Sequence, residues 1–439
     1  MDESSIYVSL DVGTSSVKVL VGQMDGSTLH VIGVGDVPSK GVRKGIIVDI
    51  DATVESIGAA VKQAEQMTGM TIQEVVLGIP ANDVHLQKVK GVVAVSSENR
   101  EITDHDLERV IKSARVMSVS PDREIVNMVP KQFILDDYDE IEDPRGMKGV
   151  RLETEGVLIT SPQTLIHNVL RCVERAGLQI KEIYLQPLAA GHFALTTDEK
   201  NHRAAYVDIG GGTTTVSVFE DHHLKSTSVI PIGGEHVTKD LSIVLQTPTE
   251  EARKIQYHYG HAFADDASEN GVFEVPIISS SEKREHNQKE IAQIIEARIE
   301  EIFEYVLQEL YDMGVQDLPG GIILTGGTTK LQGILPLAMK VLKTRVRIHV
   351  PEYIGVREPM YTTAVGLIQY DAYQDEFFNR SVSAPAPTPV EEEYFEDEYY
   401  DGDEEYYDYD EVEEDHQSRK REKPGFVDKV KRYFSTFFD

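Results

Sequence analysis

The sequence predicts an α/β protein of two similar halves. A small α+β module is inserted in the first half, and a disordered tail ends in an amphipathic helix. Three observations predict it. An apolar strand ending in Asp and a glycine turn occurs twice, at Asp11 and at Asp208, 197 residues apart (208 − 11). Between about residues 84 and 162 the pattern changes to strand, helix, strand, strand. Beyond Gln369 the helical signal fades, and proline, acid and tyrosine take over.

The elements follow in order. Ile6 to Leu10 runs into Asp11-Val12-Gly13-Thr14-Ser15, Val17 to Val21 runs out, and a third strand, Leu29 to Val34, follows the turn at Asp25-Gly26. The second copy runs from Ala204 through Asp208-Ile209-Gly210-Gly211-Gly212-Thr213 to Phe219, with a third strand near Lys225 to Ile230. Strand runs of this kind alternate with helical spacing at Thr53 to Met67, Thr164 to Ala176 and Glu290 to Met313. Gly177 and Gly314 are good stops for the last two. The module reads as a strand (Gly91 to Val95), a helix (Asp104 to Met117, with Thr103 as N-cap) and two strands (Ile125 to Leu135, Glu153 to Thr160). The expected divisions are 1–83 with 163–203, the module 84–162, a second domain 204–372 with a smaller lobe at about 235–315, a linker 373–423, and a terminal helix 424–439.

Composition narrows the function. With 40% apolar residues over 439 positions, the chain can bury a substantial core. Its net charge of −32 opposes nucleic-acid binding. Residues 391–415 hold sixteen Asp or Glu and no Lys or Arg, half of that excess (16 of 32). Such a stretch cannot bury enough apolar surface to offset ordering entropy. The single cysteine, Cys172, rules out an intrachain disulfide and leads us to expect a reducing, cytoplasmic setting. The acidic start, Met1 to Ser5, does not resemble a signal peptide. No apolar run reaches the roughly 20 residues that cross a bilayer.

The paired turns carry the chemistry. A phosphate chain needs close backbone N–H donors, which glycine turns at strand ends supply. Two turns facing across a cleft, Gly13-Thr14-Ser15 and Gly210-Gly211-Gly212-Thr213, can hold it from both sides. Lys18 is placed to reach a phosphate oxygen. Asp11 and Asp208 suit Mg²⁺ held through water, and positioning of an attacking water. A third strand-to-turn, Ile322-Ile323-Leu324-Thr325-Gly326-Gly327, would let adenine lie against backbone.

These three motifs, in this order, resemble the phosphate and adenosine motifs of the actin superfamily, over about residues 5 to 370. The resemblance implies duplicated actin-like (ribonuclease H-like) domains that bind ATP with Mg²⁺. It places Gln186 beside the catalytic water, with Asp11 and Asp208 as the other catalytic residues. It assigns Glu251 and Lys254 to the ribose, although that pair also fits an exposed i,i+3 ion pair. The early insertion, with Val42 to Asp49, Gly91 to Val95 and Arg171 to Gly177, resembles the FtsA family of bacterial cell-division proteins.

The far C-terminus points the same way. From Pro424, apolar residues fall at Phe426, Val427, Val430, Tyr433, Phe434, Phe437 and Phe438, a helical arc of roughly 140°. Lys429, Lys431 and Arg432 flank or oppose it. Such a helix is too short and charged to span a bilayer and suits the headgroup layer of an anionic membrane. It also suits docking on a protein surface.

The resemblance therefore implies an ATP-binding protein that polymerises, binds the C-terminal peptide of FtsZ and tethers that ring to the cytoplasmic face of the cell membrane at the division septum. Later division proteins would be recruited there. Arg298, on the helix of the smaller lobe, is the expected basic contact to the FtsZ peptide, and a pair with Glu301 is the alternative. At most slow ATPase activity is expected. The rival readings are an ATP-dependent kinase or active ATPase of the same fold, and an FtsA-like pilus-assembly adaptor.

Overall fold

β1 (Ser5–Val12), β2 (Ser16–Asp25) and β3 (Thr28–Pro38) form an antiparallel meander. β3 runs beyond the expected Val34 because Asp36 and Val37 pair with Lys18 and Val17 of β2. A tight hairpin, β4 (Val42–Arg43) and β5 (Ile46–Ile47), leads into α1 (Ile50–Thr68). α1 starts three residues before the expected Thr53 (53 − 50), because Asp49 is its cap and accepts from the Ala52 N–H at 3.0 Å. β6 (Glu74–Ile79) then lies parallel to β1. The computed structural model describes residues 5–116, 119–280 and 282–379.

The inserted module is β7 (His85–Ala94), α2 (Asp104–Arg115), β8 (Arg123–Leu135), β9 (Tyr138–Ile141) and β10 (Arg151–Pro162). Its sheet has the order β7-β10-β8-β9, all antiparallel, and α2 covers it through Leu107, Val110 and Ile111. The short strand β9 has no apolar alternation and escaped the sequence reading. Asp106, fully buried, ties the entry to α2: it accepts from Ser96 Oγ at 2.8 Å, the Ser96 N–H at 3.1 Å and Thr103 Oγ1 at 3.0 Å. Asp106→Ala should cost about 2–3 kcal/mol, measured as a shift in the urea midpoint, because those donors lose a charged acceptor.

The first half closes with α3 (Gln163–Arg175), β11 (Gln179–Leu185) and α4 (Gln186–Ala194). After α5 (Thr197–Asn201), the second meander is β12 (Ala204–Ile209), β13 (Thr214–Glu220) and β14 (His223–Ile230). α6 (Gly234–Val244), α7 (Thr249–Tyr259), the hairpin β15 (Val272–Pro276) with β16 (Lys283–Asn287), and α8 (Gln288–Asp312) follow. α8 buries Ile291, Ile295, Ile299, Ile302, Phe303, Val306 and Leu310 along one stripe. Then come β17 (Gly321–Thr325), α9 (Ile334–Leu342), β18 (Val346–Ile348) and α10 (Thr362–Phe377).

The two main sheets have orders β11-β6-β1-β2-β3 and β18-β17-β12-β13-β14. Each sets a meander beside two parallel strands, with the meander's first strand in the middle. β1 and β12 therefore occupy the same place in their halves, and Asp11 and Asp208 stand near equivalent strand ends.

α10 differs from expectation twice. It continues past Gln369 to Phe377, across the expected start of the linker. It also packs on α4 and on β1, β2 and β6, so it belongs with the first half although it follows the second in sequence. Both differences have one cause. Lys181 of β11 donates to Asp371 Oδ2 and to Asp375 Oδ2, each at 2.7 Å, and Tyr184 Oη donates to Asp371 Oδ1 at 2.8 Å. Both acids are buried. In sequence they look like a solvent face. The expected linker from residue 380 onward, and the terminal helix expected at 424–439, lie outside the described residues.

Candidate functional site

A cavity of about 690 Å³ opens between the two halves at the carboxyl ends of β1 and β12. Ligands of α/β sheets bind at such strand ends. Asp11 and Asp208 line its floor. β-Pairing sets Lys18 directly across from Asp11, and its Nζ lies 3.6 Å from Asp11 Oδ2. Gln186 is the first residue of α4, straight after β11, and its Nε2 donates to Asp11 Oδ1 at 2.8 Å. Thr363 Oγ1, at the start of α10, donates to Asp208 Oδ2 at 3.3 Å. The floor thus gathers Asp11, Lys18, Gln186 and Asp208.

Its electrostatics are those of too many carboxylates in too little water. Burial pushes the Asp11 carboxyl above its ordinary value, with Lys18 opposing and Asp36 adding to the shift. Asp208 is pushed up to about 6 by burial and then by the Asp11 charge, against Lys18 and the Thr363 hydroxyl. A cation near both would be welcome. Among the described residues, no group of three or more His, Cys, Asp or Glu is arranged to hold a metal directly.

The two glycine turns are built alike. The Gly13 N–H donates to the Ser16 carbonyl at 3.1 Å and the Gly210 N–H to the Thr213 carbonyl at 2.9 Å, the same i to i+3 closure in each half. Across the cleft they nearly touch. A β-carbon on Gly211 would lie 1.7 Å from Ser15 Oγ, and one on Gly212 would lie 2.6 Å from Thr14 Cγ2. Only glycine permits that approach. Ser15 Oγ donates to Glu235 Oε1 at 2.9 Å, which joins the first turn to α6, and the Gly45 N–H donates to Thr14 Oγ1 at 3.0 Å.

The third turn, Gly326-Gly327, also lines the cavity, as do residues of α7. Gly326 has φ 93° and packs against Asp208 and the Ile209 carbonyl. Thr328 Oγ1 donates to the Gly210 carbonyl at 2.9 Å and binds this turn to the second one.

Two expectations meet a different arrangement. Lys254 Nζ donates to Glu251 Oε1 at 2.6 Å, and neither residue lines the cavity. Arg253, Gln256 and Tyr257 of the same helix line it instead. Neighbouring positions on a helix point about 100° apart, and sequence does not set the rotation of α7 about its axis. Arg298, on α8, donates from Nε to Asp240 Oδ2 at 2.6 Å and from Nη1 to Glu301. Its guanidinium is already engaged by two carboxylates.

Sequence reasoning also missed Gly45, Asn82, Glu235, Thr328 and Thr363, which line the cavity. Gly233-Gly234 before an acidic residue and a helix was a legible signal for Glu235. Nothing local marked Asn82 or Thr363, which arrive from other elements.

Comparison with known proteins decides the family. The family model for cell division protein FtsA matches residues 205–366, and that for the SHS2 domain inserted in FtsA matches residues 81–160. Cell division protein FtsA of Bacillus subtilis is 52% identical over 387 residues, 88% of each chain. That of Enterococcus hirae is 39% identical over the full length of both chains. The chain belongs to the FtsA family of cell division proteins.

The wider fold agrees. A chain of the PilM–PilN type IV pilus biogenesis complex matches with a TM-score of 0.56 at 15% identity, covering 83% of this chain and 98% of that one. MreB5 of Spiroplasma citri, bound to ADP, matches with a TM-score of 0.53 at 12% identity, covering 86% of this chain and 99% of its own. FtsA-family membership thus comes with duplicated actin-like domains and the inserted module. Among the described residues of this FtsA-family chain, no helix is long and apolar enough to cross a membrane.

Proposed function

We propose that this chain binds ATP with Mg²⁺ in the cleft, polymerises, and tethers the FtsZ ring to the cytoplasmic face of the cell membrane at the septum. The observation that supports nucleotide binding most is the contact of two equivalent glycine turns over two buried carboxylates. The turns Gly13 to Ser15 and Gly210 to Thr213 would cradle the phosphates from both sides. Lys18 would meet one phosphate oxygen. Asp11 and Asp208 would hold Mg²⁺ through water, and the ion would neutralise charge on the phosphate oxygens. Gln186, fixed by Asp11, would orient a water near the terminal phosphate. This arrangement supports slow hydrolysis as well as binding.

The assembly role rests on family membership and on the residues of the tail. Phe426, Val427, Val430, Tyr433, Phe434, Phe437 and Phe438 would enter the headgroup layer, with Lys429, Lys431 and Arg432 toward anionic lipid. The lobe carrying α6, α7 and α8 would receive the FtsZ peptide. Arg298 would contact an acidic side chain there only by releasing Asp240 or Glu301. The inserted module would meet later division proteins. For the domains we propose the expected divisions, with α10 reassigned to the first.

Removing residues 426–439 should release the protein from anionic vesicles while ATP binding stays intact. Sedimentation with vesicles checks the first and a fluorescent ATP analogue the second. Unchanged sedimentation would sink the membrane reading.

A further inference from the structure

Three carboxylates line the cleft: Asp11, Asp208 and Glu235. The first two are met on the floor by Lys18, Gln186 and Thr363. Glu235, the second residue of α6, is placed differently. Its backbone is stitched to the second glycine turn: its N–H donates to the Gly211 carbonyl, and the Gly234 N–H to the Gly210 carbonyl, each at 2.9 Å. Its side chain reaches the other way, across the cleft, and accepts from Ser15 Oγ at 2.9 Å. A β-carbon on Gly211 would meet both Ser15 Oγ, at 1.7 Å, and Glu235 Oε1, at 3.3 Å, so this carboxylate lies where the two turns come together. Among the described residues no lysine or arginine forms an ion pair with it. Of the lysines that line the cleft, Lys18 already faces Asp11 and Lys330 faces Glu358.

A carboxylate is an unfavourable neighbour for a phosphate chain. The Ser15 hydroxyl has one proton to donate, and Glu235 and a phosphate oxygen both call for it. Like charges a few ångströms apart also repel, most strongly where water is excluded. A divalent cation on the phosphates cancels two of their charges and weakens that repulsion. An acid in the first turn of a helix stabilises the helix too, but that role needs no reach across to Ser15.

We propose that Glu235 sets the selectivity of this cleft: by holding the Ser15 hydroxyl and placing a negative charge between the glycine turns, it favours a nucleotide polyphosphate whose charge a divalent cation has partly neutralised over the same nucleotide free of metal. This rests on the reading of the cleft as a nucleotide site and adds a role for a residue that binding and hydrolysis do not use. Because Ser15 and Glu235 are not fully buried, the discrimination weakens as salt rises.

The test is titration of the full chain with a fluorescent ATP analogue, in Mg²⁺ and in EDTA, for the parent and for Glu235→Gln. In EDTA and low salt the variant should bind at least about fivefold tighter than the parent, the size of one repulsion between unit charges about 4 Å apart in water. In Mg²⁺ the gain should be smaller, and at high salt it should shrink in both. Displacement of the analogue by adenosine, which carries no phosphate, reports the variant's nucleoside affinity, and that should equal the parent's. Part of the gain should vanish in the Ser15→Ala background, where no shared proton remains. Equal affinities of parent and variant in EDTA overturn the proposal. So does a variant weakened only in Mg²⁺, since Glu235 would then help to hold the cation, and so does an equal change for adenosine, which marks a structural role. A gain of full size without Ser15 overturns the part assigned to that hydroxyl. If the analogue does not bind the parent in Mg²⁺, the nucleotide reading fails first and this inference falls with it.

Discussion

Gly326→Ala should lower affinity for a fluorescent ATP analogue by at least about 100-fold, which corresponds to roughly 2.7 kcal/mol. Two effects combine. The residue holds φ 93°, where an L side chain is strained. Its β-carbon would also lie 2.3 Å from Asp208 Oδ1 and 2.5 Å from the Ile209 carbonyl oxygen. Relief of that collision moves the carboxylate at the cavity floor and the strand that carries the second glycine turn. Gly327→Ala is the matched control. A β-carbon there meets only Met360 Cβ, at 3.8 Å, so the fold should tolerate it. Any affinity lost in that variant reports the close approach of ligand to backbone. Parent-like affinity in Gly326→Ala would remove the turn from the site.

Lys181→Met should destabilise the chain by about 3–5 kcal/mol at neutral pH, read from the denaturant midpoint, because it leaves buried carboxylates without their cation. Asp371 and Asp375 are 0% and 3% exposed, and both accept from Lys181 Nζ. The pH dependence gives a second readout. Burial already holds the Asp371 carboxyl above its ordinary value while Lys181 pulls it down. Without Lys181 that carboxyl rises further. The folded variant then binds more protons than the unfolded chain, and its stability falls as pH rises through the raised value. The deficit against the parent should therefore be smaller at pH 5 than at pH 7. Lys181→Met combined with Asp371→Asn should recover part of the loss. A deficit that does not change with pH would show that Lys181 acts only through packing.

The two predictions mark different levels of legibility. Asp11, Gly13, Asp208 and Gly210 could be read from sequence because a strand ending in an acid and a glycine is a local pattern. Strand pairing then carries each one to the same place in its half. The module was legible as a break in that pattern, apart from β9, whose Tyr138 to Ile141 lack alternation. The helix starts at Ile50 and Gln288, capped by Asp49 and Asn287, fell within three residues of the expected Thr53 and Glu290, as caps are local too.

What the sequence by itself determined is therefore the duplication, the paired glycine turns and the inserted module. Tertiary structure alone decided that α10 returns to the first half, that Lys181 meets Asp371 and Asp375, and that α7 turns Arg253 rather than Glu251 to the cavity. The physical reason is common to all three. Backbone geometry at a glycine turn depends on a few neighbours in the chain, whereas the rotation of a helix and the partner of a buried charge depend on surfaces that come together only when distant segments pack.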